Sequence, residues 1–152
     1  MKNKGLIIAQ NRKAKFDYII TDEIEVGVVL RGAEVKSIRQ GTVSLDSSYA
    51  VDKKGEFWVN NLHVDLKSSD KNQENIDNLR PKKLLLNKNE INKIVNKIKQ
   101  EGFTMIPLDL HYNKKGFIKI LLGISKGRKK SDKREYKKKQ DWKREKSRLE
   151  RV

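Results

Sequence analysis

Glu25 and Glu34 stand nine residues apart, His63 and His111 are the two histidines, and the 152-residue chain has no cysteine. Paired carboxylates can move protons or hold two metal ions. Glu25 and Glu34 fall in different local patterns, however, and no acidic cluster surrounds them to support a two-metal nuclease. Neither histidine has a second His or a Cys at metal-ligand spacing, so both are expected to be structural or surface residues. Gly127-Arg128-Lys129 lacks the upstream glycine and the Ser/Thr of a phosphate-cradling loop. No serine stands in a nucleophile-elbow context. The residue set points away from an enzyme, a cofactor and a resident metal.

The groups with more content are cations beside amides and aromatics. Asn11-Arg12-Lys13-Ala14-Lys15 sets a side-chain amide able to read a base edge next to three cations. Lys36 and Arg39 project from a short predicted helix, and Arg80, Lys82 and Lys83 precede Leu84-Leu85-Leu86. Residues 126–152 hold 14 Lys/Arg against 5 Asp/Glu, whereas residues 1–125 hold 22 against 15. Tyr136, Trp142 and Leu149 interleave with those charges, which a purely solubilising tail has little use for. The net charge of +16 makes a polyanion, most simply nucleic acid, the expected partner. Phosphate contacts would supply affinity and a few polar groups would read sequence or shape. Composition leaves open whether the cations form one face or are scattered.

The elements that must position these groups follow from pattern. The length suits one domain with one core, divided here into a body, 1–125, and a basic tail, 126–152. Residues 1–15 read as a polar, basic arm. Residues 16–20 alternate as a strand, and 24–30 place Ile24, Val26, Val28 and Leu30 on one face. Gly27 inside that pattern suggests a bulge or sharp coiling. Val35 and Ile38, closed by Gly41, predict a helix of one or two turns. Residues 43–51 and 56–64 predict a hairpin through Asp52-Lys53-Lys54-Gly55. Residues 65–78 are polar and aperiodic, a mobile loop. Asn87 with Glu90 resembles a capping box, Ile91, Ile94, Val95 and Ile98 repeat at helical spacing, and Gly102 closes the helix. Residues 103–110 and 117–124 are strands joined by Asn113-Lys114-Lys115-Gly116. The expected fold is mainly β with short helices: six antiparallel strands in a barrel of the oligonucleotide-binding (OB) type, with flanking helices and a basic, disordered C-terminal tail. No run reaches the ~18 apolar residues of a membrane span, and residues 6–9 are too short for a signal-peptide core. A cytoplasmic monomer without membrane association is expected.

Several unrelated segments, in order and spacing, resemble the small protein B (SmpB) family of tmRNA-binding proteins. They are Asn11-Arg12-Lys13-Ala14, Asp17-Tyr18, Glu25-x-Gly27, Gly32-x-Glu34-Val35-Lys36-Ser37-Ile38-Arg39, Arg80-Pro81-x-Lys83-Leu84-Leu85-Leu86 and Asp132-Lys133-Arg134, with the aromatic Trp142. The resemblance implies an OB-type barrel that binds the tRNA-like domain of tmRNA and delivers it to stalled ribosomes in trans-translation. It implies Asn11, Glu25 and Leu85 as tmRNA-binding positions. Asn11 suits a base or ribose. Glu25 suits a base amine or a 2′-OH, or orients neighbouring cations. Leu85 packs beneath that surface or belongs to the core, and both readings stand. Lys36 and Arg39 suit phosphate, and Arg12, Lys13 and Lys83 complete the basic set.

The tail would then sense the ribosome. The family resemblance implies disorder in the free chain and a helix in the empty mRNA channel, beside 16S rRNA and the decoding centre. Its contacting residues would be Lys129, Lys130, Ser131, Asp132, Lys133, Arg134, Trp142 and Leu149. Residues 132–152 lack Gly and Pro, but isolated helices of this length are marginal in water and like charges repel. A polyanionic channel removes both obstacles at an ordering cost. Trp142 would stack on a base or fill a pocket. Ser131 and Phe16 depart from histidines common in the family. A general ribosomal or RNA-chaperone protein is the alternative.

Overall fold

The computed structural model describes residues 5–66, 77–99, 103–128 and 130–150, the side chains of 130–132 and 150 excepted. In chain order the elements are β1 (Ile7–Gln10), α1 (Ala14–Asp17), β2 (Tyr18–Val28), α2 (Gly32–Arg39), β3 (Val43–Ser44), β4 (Tyr49–Lys53), β5 (Glu56–Asn60), β6 (His63–Val64), β7 (Lys82–Leu85), α3 (Lys88–Ile98), β8 (Phe103–Tyr112), β9 (Ile118–Gly127) and α4 (Lys130–Glu150). The fold is mainly β with several helices.

Strands β8, β4, β5, β7, β2 and β9 are neighbours in that order, and β9 returns to β8, so six strands close a ring. β1 pairs with β8 from outside, and β3 with β6 forms a separate two-stranded ladder. Inside the ring lie Val26, Phe57, Val59, Leu110, Ile120 and Leu122, all buried. Each such side chain contributes about 1.5–3 kcal/mol by leaving water. Ile94 closes the core from α3, whose capping box holds as its spacing predicts. Glu90 N donates to Asn87 Oδ1 (2.8 Å), and Asn87 N donates to Glu90 Oε1 (3.2 Å). α2 ends as Gly41 requires: Thr42 N donates to Ser37 O and Gly41 N to Ile38 O.

Three expectations change. Residues 7–10 are a strand, not part of an arm. No strand begins at Phe16: Phe16 N and Asp17 N both donate to Lys13 O, winding α1, and one strand, β2, then spans Tyr18–Val28, its register with β9 shifting between Ile20 and Asp22 and not at Gly27. The 43–64 hairpin is split. Leu45 is buried, and the Ser48 N–H and hydroxyl both donate to Leu45 O, so the chain turns there and divides β3 from β4. The tail, expected to be disordered in the free chain, is described as helix α4 over Lys130–Glu150. Most of the expected 65–78 loop, and Gly102, lie outside the described residues.

Candidate nucleic-acid interface

Strand register sorts the side chains of β2, β8 and β9 into two faces. Ile24, Val26, Ile120, Leu122 and Leu110 face the core. Their alternates face out. Glu25 pairs with Leu121 and Leu121 with Asp109, while Gly27 pairs with Lys119 and Lys119 with His111. Paired residues share a face, so Glu25, Lys119, Asp109 and His111 meet on the outer surface. A bulge makes this possible: the register shifts between Pro107 and Asp109, leaving Leu108 as the extra residue. It reverses the alternation of β8, so Met105 and Pro107 pair with inward residues whereas Asp109 and His111 point out. Gly123 leaves room for the Leu108 side chain, which would lie only 3.0 Å from a Cβ there.

On that surface the His111 ring is bracketed by two carboxylates. Nε2 lies 2.7 Å from Glu25 Oε2 and Nδ1 lies 2.6 Å from Asp109 Oδ1. The histidine side chain is fully buried, that of Asp109 is 6% exposed and that of Glu25 is 30% exposed. His111 is thus the buried centre of a polar chain, and Glu25 is its solvent-facing end. Asn11 holds the same bulge from the other side. Its backbone N–H donates to Leu108 O (2.8 Å) and its Nδ2 to Pro107 O (3.1 Å). Asn11 and Arg12 line one recess of about 290 Å³ with Glu23 and Asp109. Arg12 and Lys13 are exposed.

Leu85 is 54% exposed and does not belong to the core. It pairs with Gly27 across β7 and β2, two residues from Glu25 and on the same face. Gly27 permits this approach, since a Cβ would meet Leu85 Cβ at 3.3 Å and Lys119 Nζ at 3.5 Å. Lys83 shares the Leu85 face of β7, with Nζ 3.4 Å from Glu56. Asn11, Glu25 and Leu85 therefore lie on one connected outer surface. Sequence reading missed Lys119, Asp109 and His111 as members. The signal available was Pro107-Leu108-Asp109 ahead of His111, where a proline in a strand marks a bulge.

Glu34 has a different setting. Its carboxylate accepts from Arg80 Nη2 (2.5 Å) and Nε (3.1 Å) and from Arg31 N (2.7 Å), and Lys82 Nζ lies 3.6 Å away. Burial pushes this carboxyl up. The Arg80 and Arg31 hydrogen bonds and the Lys82 and Arg80 charges outweigh it and hold the group below its ordinary value of 4.5. Burial pulls Lys82 below its ordinary 10.5, with Glu34 opposing. Lys82 is fully buried and donates to Leu62 O and Arg80 O. Arg80 and Lys82 are thus tied into the cluster around Glu34. Glu25 and Glu34 belong to separate clusters and are not paired. Lys36 and Arg39 are exposed on α2, which packs on β6.

The tail meets the body at α1. Arg128 N donates to Asp17 O, and its Nε to Lys15 O. Its guanidinium lies 4.5 Å over the Tyr136 ring, and Tyr136 lies 6.3 Å from Phe16. Lys133 Nζ is 3.3 Å from Asp17 Oδ1. Arg134 is exposed, and Trp142 and Leu149 are 67% and 76% exposed on the free part of α4. Lys129 lies outside the described residues, as do the side chains of Lys130, Ser131 and Asp132. Among the described residues, no group of three or more His, Cys, Asp or Glu is placed to hold a metal, and no helix is long and apolar enough to cross a membrane.

The chain is similar to known proteins over nearly its whole length. The family model described as SmpB protein matches residues 8–151. The SsrA-binding protein of Rickettsia bellii (strain OSU 85-389) is 49% identical over 143 residues, covering 94% of each chain. That of Wolbachia pipientis subsp. Culex pipiens (strain wPip) is 46% identical over 144 residues, covering 94% of this chain and 95% of the relative. A solved structure described as "tmRNA-SmpB: a journey to the center of the bacterial ribosome" is similar at a TM-score of 0.65 and 37% identity, over 83% of this chain and 91% of that one. With a match that runs from the first strand through the tail helix, the chain belongs to the SmpB family.

Proposed function

We propose that this protein binds the tRNA-like domain of tmRNA and delivers it to stalled ribosomes for trans-translation. The observation that carries the reading is that Asn11, Glu25 and Leu85, distant in sequence, lie on one outer surface of the strand ring. An exposed leucine beside a fixed carboxylate and an amide suits bases and ribose of a folded RNA, while Arg12, Lys13, Lys83 and Lys119 supply cations for phosphate. The ring acts as an OB-like barrel, a scaffold well suited to such a surface. Lys36 and Arg39 extend phosphate contact onto α2. The relatives named SsrA-binding protein support the RNA, and the tmRNA-SmpB structure supports the ribosome as destination. The protein works in the cytoplasm as a monomer, without catalysis or cofactor.

The tail, 126–152, is a separate functional unit. Free in solution it is disordered, because an isolated helix of this length is marginal in water and its like charges repel. In the empty mRNA channel it becomes fully helical. Lys129, Lys130, Ser131, Asp132, Lys133 and Arg134 contact the decoding centre, and Trp142 and Leu149 dock further along.

The test is a titration of the full-length protein at about 0.15 M salt against the tRNA-like domain, an elongator tRNA and an unstructured RNA of equal length. Strong preference for the tRNA-like domain is expected. Equal affinity for all three would make the protein a general RNA binder whose charge does generic work.

A further inference from the structure

His111 lies on a face whose neighbours are proposed to read RNA, yet its side chain is fully buried. Both ring nitrogens are engaged, one by Asp109 from its own strand and one by Glu25 from β2, 86 residues away in sequence. Glutamate on an exposed strand samples several rotamers. Glu25 does not have that freedom, because Oε2 is tied to a ring that is itself fully buried and anchored at its far nitrogen. A flip of the ring would lose both contacts. What remains open to solvent is the rest of the Glu25 carboxylate, next to Gly27, Lys119 and Leu85.

We propose that His111 is a positioning residue for RNA recognition: it holds the Glu25 carboxylate in one orientation on the outer face, ready to accept from a base amine or a ribose hydroxyl. Asp109 acts one step further back by fixing the ring. The inference rests on the proposed binding of the tRNA-like domain at this face. It adds that the strength of the Glu25 contact is set by a residue the RNA never touches. An acceptor that is already oriented loses less freedom on binding than one that must be ordered.

The experiment is a double-mutant cycle read with the tRNA-like domain of tmRNA as probe. The variants are Glu25→Gln, His111→Asn and the double mutant in the full chain, with thermal unfolding recorded for each. Glu25→Gln is expected to weaken binding by about tenfold, the worth of one charged hydrogen bond. His111→Asn should weaken it comparably, and the double mutant should be little weaker than Glu25→Gln alone. His111→Gln, whose longer amide can still reach Glu25, should recover part of the loss, and it serves if the Asn variant does not fold. Additive losses would overturn the inference, since a purely structural histidine lowers affinity independently of Glu25. So would unchanged affinity in both histidine variants while Glu25→Gln binds weakly. Unchanged affinity in Glu25→Gln would instead remove Glu25 from the binding surface and with it the proposed use of this face.

Discussion

Glu34 is sealed between two cations, whereas Glu25 meets solvent with a single histidine behind it. The two lie nine residues apart and carry the same group. Glu34 sits in the first turn of α2, where Arg80 approaches from just before β7 and Lys82 from its first residue. The Arg80 guanidinium and the Arg31 N–H donate to it and the Lys82 ammonium lies beside it, so the cluster holds α2 to the ring. Glu25 has one oxygen tied inward and the rest of the group outward. A charge that is fully paired and buried specifies a fold, and a charge that is oriented but incompletely covered can specify a partner.

The largest expected effect breaks the first cluster. Glu34→Gln leaves the buried Lys82 ammonium without its carboxylate and should cost about 3 kcal/mol of folding stability, read as a lower urea midpoint. The pH dependence follows from the same group. Its pKa in the fold lies below the ordinary 4.5, so its contribution is present above that value and is lost as pH falls through the folded pKa. Glu34→Gln should flatten the acid limb of the stability curve. An unchanged acid limb would mean that other carboxylates dominate it.

On the RNA side, Leu85→Ala should reduce affinity for the tRNA-like domain several-fold while changing stability by less than about 1 kcal/mol, because half of the side chain is already in water. A large fall in thermal midpoint with intact RNA affinity would return Leu85 to the core. Truncation after Ser125 should keep most tmRNA affinity and abolish rescue of stalled ribosomes in a reconstituted translation assay. Loss of most tmRNA affinity would refute the division between body and tail. The smallest effect concerns the contact between them. Tyr136→Ala removes the partner of Arg128 and Phe16, interactions worth about 0.5–1 kcal/mol at an exposed site. Faster amide exchange over 133–140, with unchanged affinity for the tRNA-like domain, is the expected readout.

Much of the fold was legible because local chemistry agreed with it. The Asn87 and Glu90 box, the Gly41 stop and the turns at Lys54-Gly55 and Asn113 to Gly116 each act within a few residues. What was not legible depends on distant partners. Ile7 to Gln10 becomes a strand because β8 offers an edge to it, not from its own pattern. Arg80 and Lys82 read as surface cations until the fold brings Glu34 to them across 46 residues in the case of Arg80. Leu85 and Leu84 are indistinguishable in an apolar run, and only pairing with Gly27 decides which faces out. The candidate site residues Asn11 and Glu25 were reached through family resemblance. Their physical connection, through the bulge at Leu108 and the ring of His111, is a property of three strands at once.

The measurement that bears most directly on the account is the selectivity of Glu25→Gln. Affinity for the tRNA-like domain and for an elongator tRNA would be taken side by side at about 0.15 M salt, with wild-type protein as reference. If the Glu25 face reads the RNA, the substitution lowers affinity for the tRNA-like domain, leaves the weaker, charge-driven binding of elongator tRNA nearly unchanged, and so reduces their ratio. A ratio equal to that of the wild type would show that selectivity comes from elsewhere and contradict the account.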